Sequence, residues 1–126
     1  MNGWPIDHIA LVVADLDEAI ALYTQRLGFS TLYRETIEDQ GVEAIGLRAG
    51  DSVVELLRPL DPSSAIARYR GDARSKLHHV AFRVAGIESA LADLKSSGIR
   101  LIDERPRDGA HGSRVAFLHP KSTGGV

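Results

Sequence analysis

The sequence predicts an α+β fold in which paired βαβββ modules form one cupped mixed sheet. The first observation is a repeat: HIALVVA at residues 8–14 returns as HVAFRVA at residues 79–85. The second is that a helix-like stretch follows each copy and ends at a glycine, Gly28 or Gly98. The third is size, because 126 residues with 44% hydrophobic content suit one domain with a real core. Two modules of one domain, residues 1–126, follow from these observations.

The first module is predicted from its hydrophobic periodicity. An apolar, β-branched run from Ile6 to Val13 is typical of a strand, and Asp15 is a typical helix N-cap. Apolar residues then recur every three or four positions as far as Leu27, and Gly28 is suited to end the helix. Three further strands are predicted at 30–35, 42–47 and 52–57, which brings module one to about residues 5–60.

The second module is predicted to repeat this order over residues 77–126. A strand at 77–84 and a helix at 87–96 are followed by strands at 100–103 and 114–118. Between the modules, a linker at about 61–76 contains a short helix that starts near Ser63 and Ser64 and ends at Gly71.

Composition excludes several classes of function. The net charge of −2 and the scattered basic residues give no reason to expect nucleic acid or an anionic membrane as a partner. The chain has no cysteine, so disulfides, thiolate nucleophiles and sulfur ligands are excluded. No signal-like or membrane-spanning stretch is present, and we therefore expect a cytoplasmic protein.

Strand alternation places His8 and His79 on one face, opposite the face that packs against the helices. The neighbouring His78 is then expected on the helix side or at its rim. Glu55 lies in an apolar strand, where an unpaired charge would be costly. Taken alone, each histidine could be a hydrogen-bonded structural residue, and the glutamate could lie at an edge facing water. Two symmetry-related histidines with one carboxylate instead favour a divalent metal site formed by His8, Glu55 and His79.

These residues carry a family resemblance. The repeat with His8, Glu55 and His79 resembles the vicinal oxygen chelate superfamily, also called the glyoxalase/bleomycin resistance superfamily. Within it, the chain resembles the methylmalonyl-CoA epimerases over nearly its whole length. The most specific segments are GAHG at 109–112 and FLHPK at 117–121, and IDHIA, DQGV, VELLRPL and LHHVAF support them.

The resemblance implies an isomerase that interconverts the (R) and (S) epimers of methylmalonyl-CoA. A divalent ion (Co, Mn, Zn or Ni) would stabilise the enolate that forms when the proton is removed. It also implies an acyl-CoA substrate and a homodimer. The family has a further strand with a glutamate as fourth ligand and base, and the sequence stops at Val126, before that strand. Either the natural protein continues beyond it, which we expect, or it is a shortened chain whose three remaining ligands leave coordination positions open.

Four other residues are candidates for the site. Some relatives have a glutamate where this chain has Ala44, and Glu43 could act as a base if a bulge turned it inward; otherwise it is a solvated strand residue. Gln40, His111 and Lys121 lie in loops that could contact the carboxylate or CoA of the substrate, or they could be surface residues.

Two other functions remain open. A glyoxalase I type lactoylglutathione lyase has the same metal constellation, and Glu55 fits it at least as well. A metal-free small-molecule-binding protein of the same fold is the third possibility, although such a protein has no need for both histidines and Glu55.

Overall fold

A five-stranded mixed sheet forms the centre of the computed structural model, which describes residues 3–126. Its strand order is β2-β3-β4-β1-β5, with β1 (Ile6–Val13), β2 (Ser30–Ile37), β3 (Val42–Ala49), β4 (Ser52–Pro59) and β5 (Ser75–Phe82). The strand β1 is parallel to β4 and antiparallel to β5. The two copies of the repeated strand therefore pair directly, and one sheet carries strands from both predicted modules.

One face of the sheet is covered by helix α1 (Leu16–Ala21), which continues as a π-helical turn over Leu22–Arg26. The N-cap is Asp15, as predicted, and its carboxylate accepts a hydrogen bond from the Glu18 backbone N–H at 3.0 Å. The helical run ends before Gly28, whose φ of 77° is left-handed and suits glycine. The buried core between this helix and the sheet consists of Val13, Leu16, Ile45, Leu47, Val54 and Leu56.

The opposite face of the sheet forms the floor of a large open cavity. A second apolar cluster lies there, formed by Ala10, Ile37, Val42, Ala44 and Leu57. This division between the two faces agrees with the strand alternation predicted for β1, because Ala10 and Val12 lie opposite the helix-facing residues Ile9 and Leu11.

The second half of the chain differs from its prediction in part. The linker helix α2 (Ala65–Arg70) and helix α3 (Ile87–Ser96) are present. The strands predicted at 100–103 and 114–118 are reduced to one bridge between Leu101 and Leu118 and a short hairpin of β6 (Arg107–Asp108) and β7 (Arg114–Val115). That prediction was wrong in its detail. One reason is that the Asp103 carboxylate accepts the Phe117 N–H at 2.8 Å, in competition with regular strand pairing.

Two further observations concern residues 3–126. Within this range β5 pairs with a strand on one side only, through β1. No helix in the same range is long and apolar enough to cross a lipid bilayer.

Candidate metal centre

Register shifts distort the sheet at three places around the cavity. They leave one extra residue at Asp7 in β1, at Leu32 in β2 and at His78 in β5. Each extra residue directly precedes a side chain that lines the cavity: His8, Tyr33 and His79. Bulges of this kind commonly re-aim side chains beside active sites, and these three bulges lie where the polar residues of the cavity are concentrated.

One row of register partners crosses all five strands of the sheet. From β2 to β5 it reads Tyr33, Gly46, Glu55, Ala10 and His79. Partners in such a row point to the same face. The large polar side chains therefore alternate with the two smallest residues, which leaves space above Gly46 and Ala10.

His8, Glu55 and His79 meet in this space, as predicted. Nε2 of His8 lies 3.2 Å from Nε2 of His79 and 3.8 Å from Oε1 of Glu55. One donor atom from each residue lies within 4.8 Å of the other two, and residues 3–126 contain no other such group of three. The Glu55 residue is 3% exposed, which makes it the buried charged residue of the described core.

His79 has the neutral imidazole that a metal ligand requires. Burial, reinforced by the neighbouring His8 and His78, lowers the pKa of His79 to about 3. The imidazole is therefore neutral near pH 7, with a lone pair free for a cation. Burial also lowers the pKa of His78.

The residue that precedes each of these histidines contacts its Nδ1 atom. Oδ2 of Asp7 lies 2.8 Å from Nδ1 of His8, and Nδ1 of His78 lies 2.7 Å from Nδ1 of His79. Both Nε2 atoms consequently face the centre of the site. Partners of this kind fix the orientation and tautomer of metal-binding histidines.

The position of His78 corrects a prediction. Regular alternation placed it on the helix side or at the rim, but the bulge at residue 78 turns it into the cavity wall beside His79. Its ring also packs edge-on against Tyr69, with 5.4 Å between the ring centroids. A one-residue bulge reverses the expected face and leaves no trace in hydrophobic periodicity.

Tyr33 is a site residue that the sequence pattern did not predict. Its hydroxyl donates a hydrogen bond of 2.5 Å to Oε2 of Glu55. Burial and the charge of Glu55 raise the pKa of Tyr33 far above its ordinary value, so the phenol stays protonated and acts as a donor. The available signal was Gly46, a glycine in the middle of an apolar strand, which often marks a close approach by another group.

Two of the three predicted substrate-binding residues line the cavity, namely Gln40 and His111. His111 has left-handed backbone angles (φ 58°, ψ 39°), and its N–H donates to the Glu35 carboxylate. Its ring stacks on Tyr33 with centroids 5.2 Å apart and planes 18° apart. The third, Lys121, is exposed in the 3₁₀ turn Pro120–Ser122 and lies outside the cavity wall.

Glu43 does not point toward the site. The β3 strand pairs with β4 without a register shift, so Glu43 lies on the face opposite that of Ala44 and Gly46. Its carboxylate is held by Arg34 at 2.9 Å and by Arg58 at 2.9 Å, and these guanidinium groups lower its pKa. The bulge that a catalytic Glu43 requires is absent from this part of β3, and we withdraw Glu43 as a candidate base.

The donor set matches a divalent first-row metal. Two imidazole nitrogens and one carboxylate oxygen suit Zn, Co, Ni, Mn or Fe, and three protein ligands leave positions for oxygen atoms of a substrate. The cavity around them measures about 1300 Å³ and is open to solvent. Phe117 forms part of its wall, with its ring edge-on to His79 at 5.1 Å between centroids.

Comparison with known proteins gives one family. The model of the Glyoxalase/Bleomycin resistance protein/Dioxygenase superfamily matches residues 7–117. Among curated proteins, human mitochondrial methylmalonyl-CoA epimerase is 37% identical over 122 residues, covering 96% of this chain and 69% of its own length. The ethylmalonyl-CoA/methylmalonyl-CoA epimerase of Cereibacter sphaeroides is 35% identical, with 95% and 91% covered.

Solved structures give the same result. Methylmalonyl-CoA epimerase from Mycobacterium tuberculosis superimposes with a TM-score of 0.91 at 36% identity, covering 97% of this chain and 83% of that one. A methylmalonyl-CoA epimerase in complex with methylmalonyl-CoA and NH4+ also gives 0.91, at 35% identity, with 98% and 90% covered. The resemblance inferred from the sequence is thereby confirmed.

Proposed function

Because the chain belongs to the Glyoxalase/Bleomycin resistance protein/Dioxygenase superfamily, we propose that it is an enzyme that epimerises methylmalonyl-CoA at a divalent metal site. The observation that carries the proposal is the meeting of His8, Glu55 and His79 within 4.8 Å at the base of the cavity. Epimerase relatives of similar fold, one of them in complex with methylmalonyl-CoA, support the choice of substrate.

His8, Glu55 and His79 are the residues that would hold the cation. When bound, a divalent cation stabilises the negative charge that develops on the thioester oxygen as the adjacent carbon loses its proton. His8 and His79 each direct Nε2 toward the site, and Glu55 contributes a carboxylate oxygen. The preceding residues Asp7 and His78 hold the two imidazoles by their Nδ1 atoms.

The upper part of the cavity would bind the acyl-CoA. His111 is positioned there by its stack on Tyr33 and by the bond from its N–H to Glu35. Gln40 lies at the end of the 3₁₀ turn Glu38–Gln40, also in the wall. We assign Gln40 and His111 to substrate binding. Lys121, on the exposed turn, could contact the CoA moiety where it leaves the cavity.

We also propose a homodimer. Exposed apolar side chains occur at one end of the β1–β5 pair, where Ile6 partners Phe82 and Trp4 lies just before the strand. Their exposed fractions are 46%, 55% and 45%, and such patches mark interaction surfaces. The measurement is the mass in solution by light scattering, with twice the chain mass of 13.6 kDa expected. A monomeric mass at working concentration would refute the homodimer.

For the location of the protein in the cell we propose the cytoplasm, to be checked by cell fractionation.

The decisive experiment for function is proton exchange. The Co²⁺-loaded protein is incubated with methylmalonyl-CoA in heavy water, and mass spectrometry is used to detect deuterium at the carbon between the carboxylate and the thioester. We expect incorporation together with interconversion of the two epimers. A parallel incubation with methylglyoxal and glutathione tests the lyase alternative, for which we expect no turnover.

The matched variants are His8→Ala and His79→Ala, which remove one ligand each and should abolish exchange. Tyr23→Phe is the control, because Tyr23 packs against Phe29 on the helix side of the sheet. Absence of exchange by the metal-loaded parent protein would refute the proposed function. Turnover of the methylglyoxal adduct instead would support the lyase.

A further inference from the structure

Glu55 is held by two contacts of different character. Its Oε2 accepts the Tyr33 hydroxyl at 2.5 Å, whereas its Oε1 faces Nε2 of His8 at 3.8 Å. One oxygen is therefore used by a hydrogen bond within the protein. The other is directed toward the histidines.

The reach of Tyr33 depends on the strand between them. Tyr33 is on β2 and Glu55 on β4, so the ring must cross β3 at Gly46, the register partner of both. A Cβ atom at residue 46 would lie 2.1 to 2.6 Å from three carbon atoms of the Tyr33 ring. Gly46 does not have a left-handed φ, so the backbone conformation does not require a glycine here. The glycine is needed because a side chain would occupy the space of the Tyr33 ring.

The ring is also fixed from its other side. His111 stacks on it nearly parallel, and the loop that carries His111 is bound through its N–H to Glu35. Tyr33 is thus enclosed between Gly46 and His111, with its hydroxyl aimed at a carboxylate that is almost fully buried.

We infer that Tyr33 is a positioning residue for the metal site: it crosses above Gly46 and holds Oε2 of Glu55, so that Oε1 alone is presented as the metal ligand. This inference rests on the proposed function, because it takes Glu55 to be a ligand. Without the hydroxyl, the carboxylate is free to rotate and has lost a charge-assisted hydrogen bond. Removal of a residue that hydrogen-bonds to a metal ligand typically lowers metal affinity about 10- to 100-fold.

The test is a titration of the metal-free protein with Co²⁺, followed through its visible absorption bands, which report on ligand number and geometry. Tyr33→Phe keeps the ring and its stack on His111 but removes the hydroxyl. We expect Co²⁺ affinity to fall about 10- to 100-fold and the bands to shift. Tyr23→Phe, the same change on the other face of the sheet, should bind as the parent does.

A second variant tests the crossing itself. Gly46→Ala should displace the ring and weaken Co²⁺ binding, although the hydroxyl is still present. In a Tyr33→Ala background, where no ring crosses β3, the same Gly46→Ala change should add no further loss. Independent losses from the two changes would contradict the crossing. Circular dichroism and thermal unfolding establish that each variant is folded.

The outcomes separate the two proposals. If the parent protein binds Co²⁺ and Tyr33→Phe binds it with the same affinity and the same spectrum, this inference is overturned and the proposed metal site remains intact. A folded parent protein that does not bind Co²⁺ would overturn both.

Discussion

Glu55 and His79 are both register partners of Ala10, one on each side of it in the sheet. Ala10 is fully buried, and it is the residue of β1 that lies between these two partners in the row. A larger side chain at residue 10 would therefore enter the space that the two donors share. Metal sites depend on this kind of spacing, because ligand distances must hold to within about 0.2 Å.

Ala10→Val is therefore expected to weaken metal binding. Two added carbons would enter the space between the donors, and the overpacking itself should cost about 1–3 kcal/mol of stability. We expect at least a tenfold loss of Co²⁺ affinity, measured by titration of the metal-free protein, on the scale that disturbed ligand geometry produces.

The matched control for this change is Ala44→Val. Ala44 is equally buried and belongs to the same apolar cluster, but it is not between the donors. It should lose stability in thermal unfolding while keeping its Co²⁺ affinity. Equal losses of affinity in both variants would mean that general destabilisation, rather than the spacing of Glu55 and His79, is responsible.

Asp7→Asn is expected to loosen the orientation of His8. The change keeps an oxygen near Nδ1 but removes the charge that makes the imidazole a stronger ligand and fixes its tautomer. Metal affinity should fall about tenfold, which is the lower end of the loss seen when a hydrogen-bond partner of a metal ligand is changed. The same change at Asp17, in the first turn of α1 on the other face of the sheet, should have no effect on affinity.

Acid should destabilise the metal-free protein in part through His79. The pKa of this residue is about 3 when folded, against an ordinary value of 6.5, so the unfolded chain takes up the proton first as pH falls. Between these two values this site alone lowers the free energy of unfolding by up to about 1.4 kcal/mol per pH unit. Above pH 6.5 it contributes no slope.

Two measurements check this expectation. The imidazole signal of His79, assigned by comparison with His79→Gln, should not titrate in NMR spectra between pH 8 and 5. Urea unfolding of the same variant should show a shallower loss of stability below pH 6 than the parent does. A normal histidine titration of His79 would contradict the burial described for it.

The repeat and the alternation of polar and apolar residues were enough to predict the first strand of each module, the face of His8 and the three donors. These features depend on local periodicity, which the sequence shows directly. His78 and Tyr33 escaped prediction for a different reason. Each depends on a β-bulge, and a bulge shifts the register by one residue without changing composition or period.

The second half of the chain shows another limit. Residues 100–103 and 114–118 have strand-like composition, but they are joined by one bridge, and residues 114–115 pair instead with residues 107–108. Whether such segments form a ladder depends on which neighbour their backbone groups reach. Here the Asp103 side chain binds the Phe117 N–H. Competition of this kind between side chain and strand pairing is decided in three dimensions.

The Glu43→Gln variant tests whether the carboxylate of Glu43 has a structural role or a catalytic one. Glu43 lies on the face opposite the site and is held by Arg34 and Arg58, so we expect deuterium incorporation into methylmalonyl-CoA at the rate of the parent protein. Stability should change instead. The two guanidinium groups lower the Glu43 pKa below its ordinary value of 4.5. The ionised carboxylate therefore stabilises the fold above pH 4.5, and this stabilisation is lost as the pH falls through the lowered pKa.

The expected loss in the free energy of unfolding is about 1 kcal/mol at pH 7, as for a small surface ion-pair network, and it should shrink toward zero in strong acid. Urea denaturation of parent and variant at several pH values measures this difference. The comparison variant is Glu88→Gln, which removes one carboxylate from the exposed pair with Arg114. A Glu43→Gln protein with parent-like stability at all pH values but no exchange activity would restore Glu43 as a base, and would require β3 to rearrange when substrate binds.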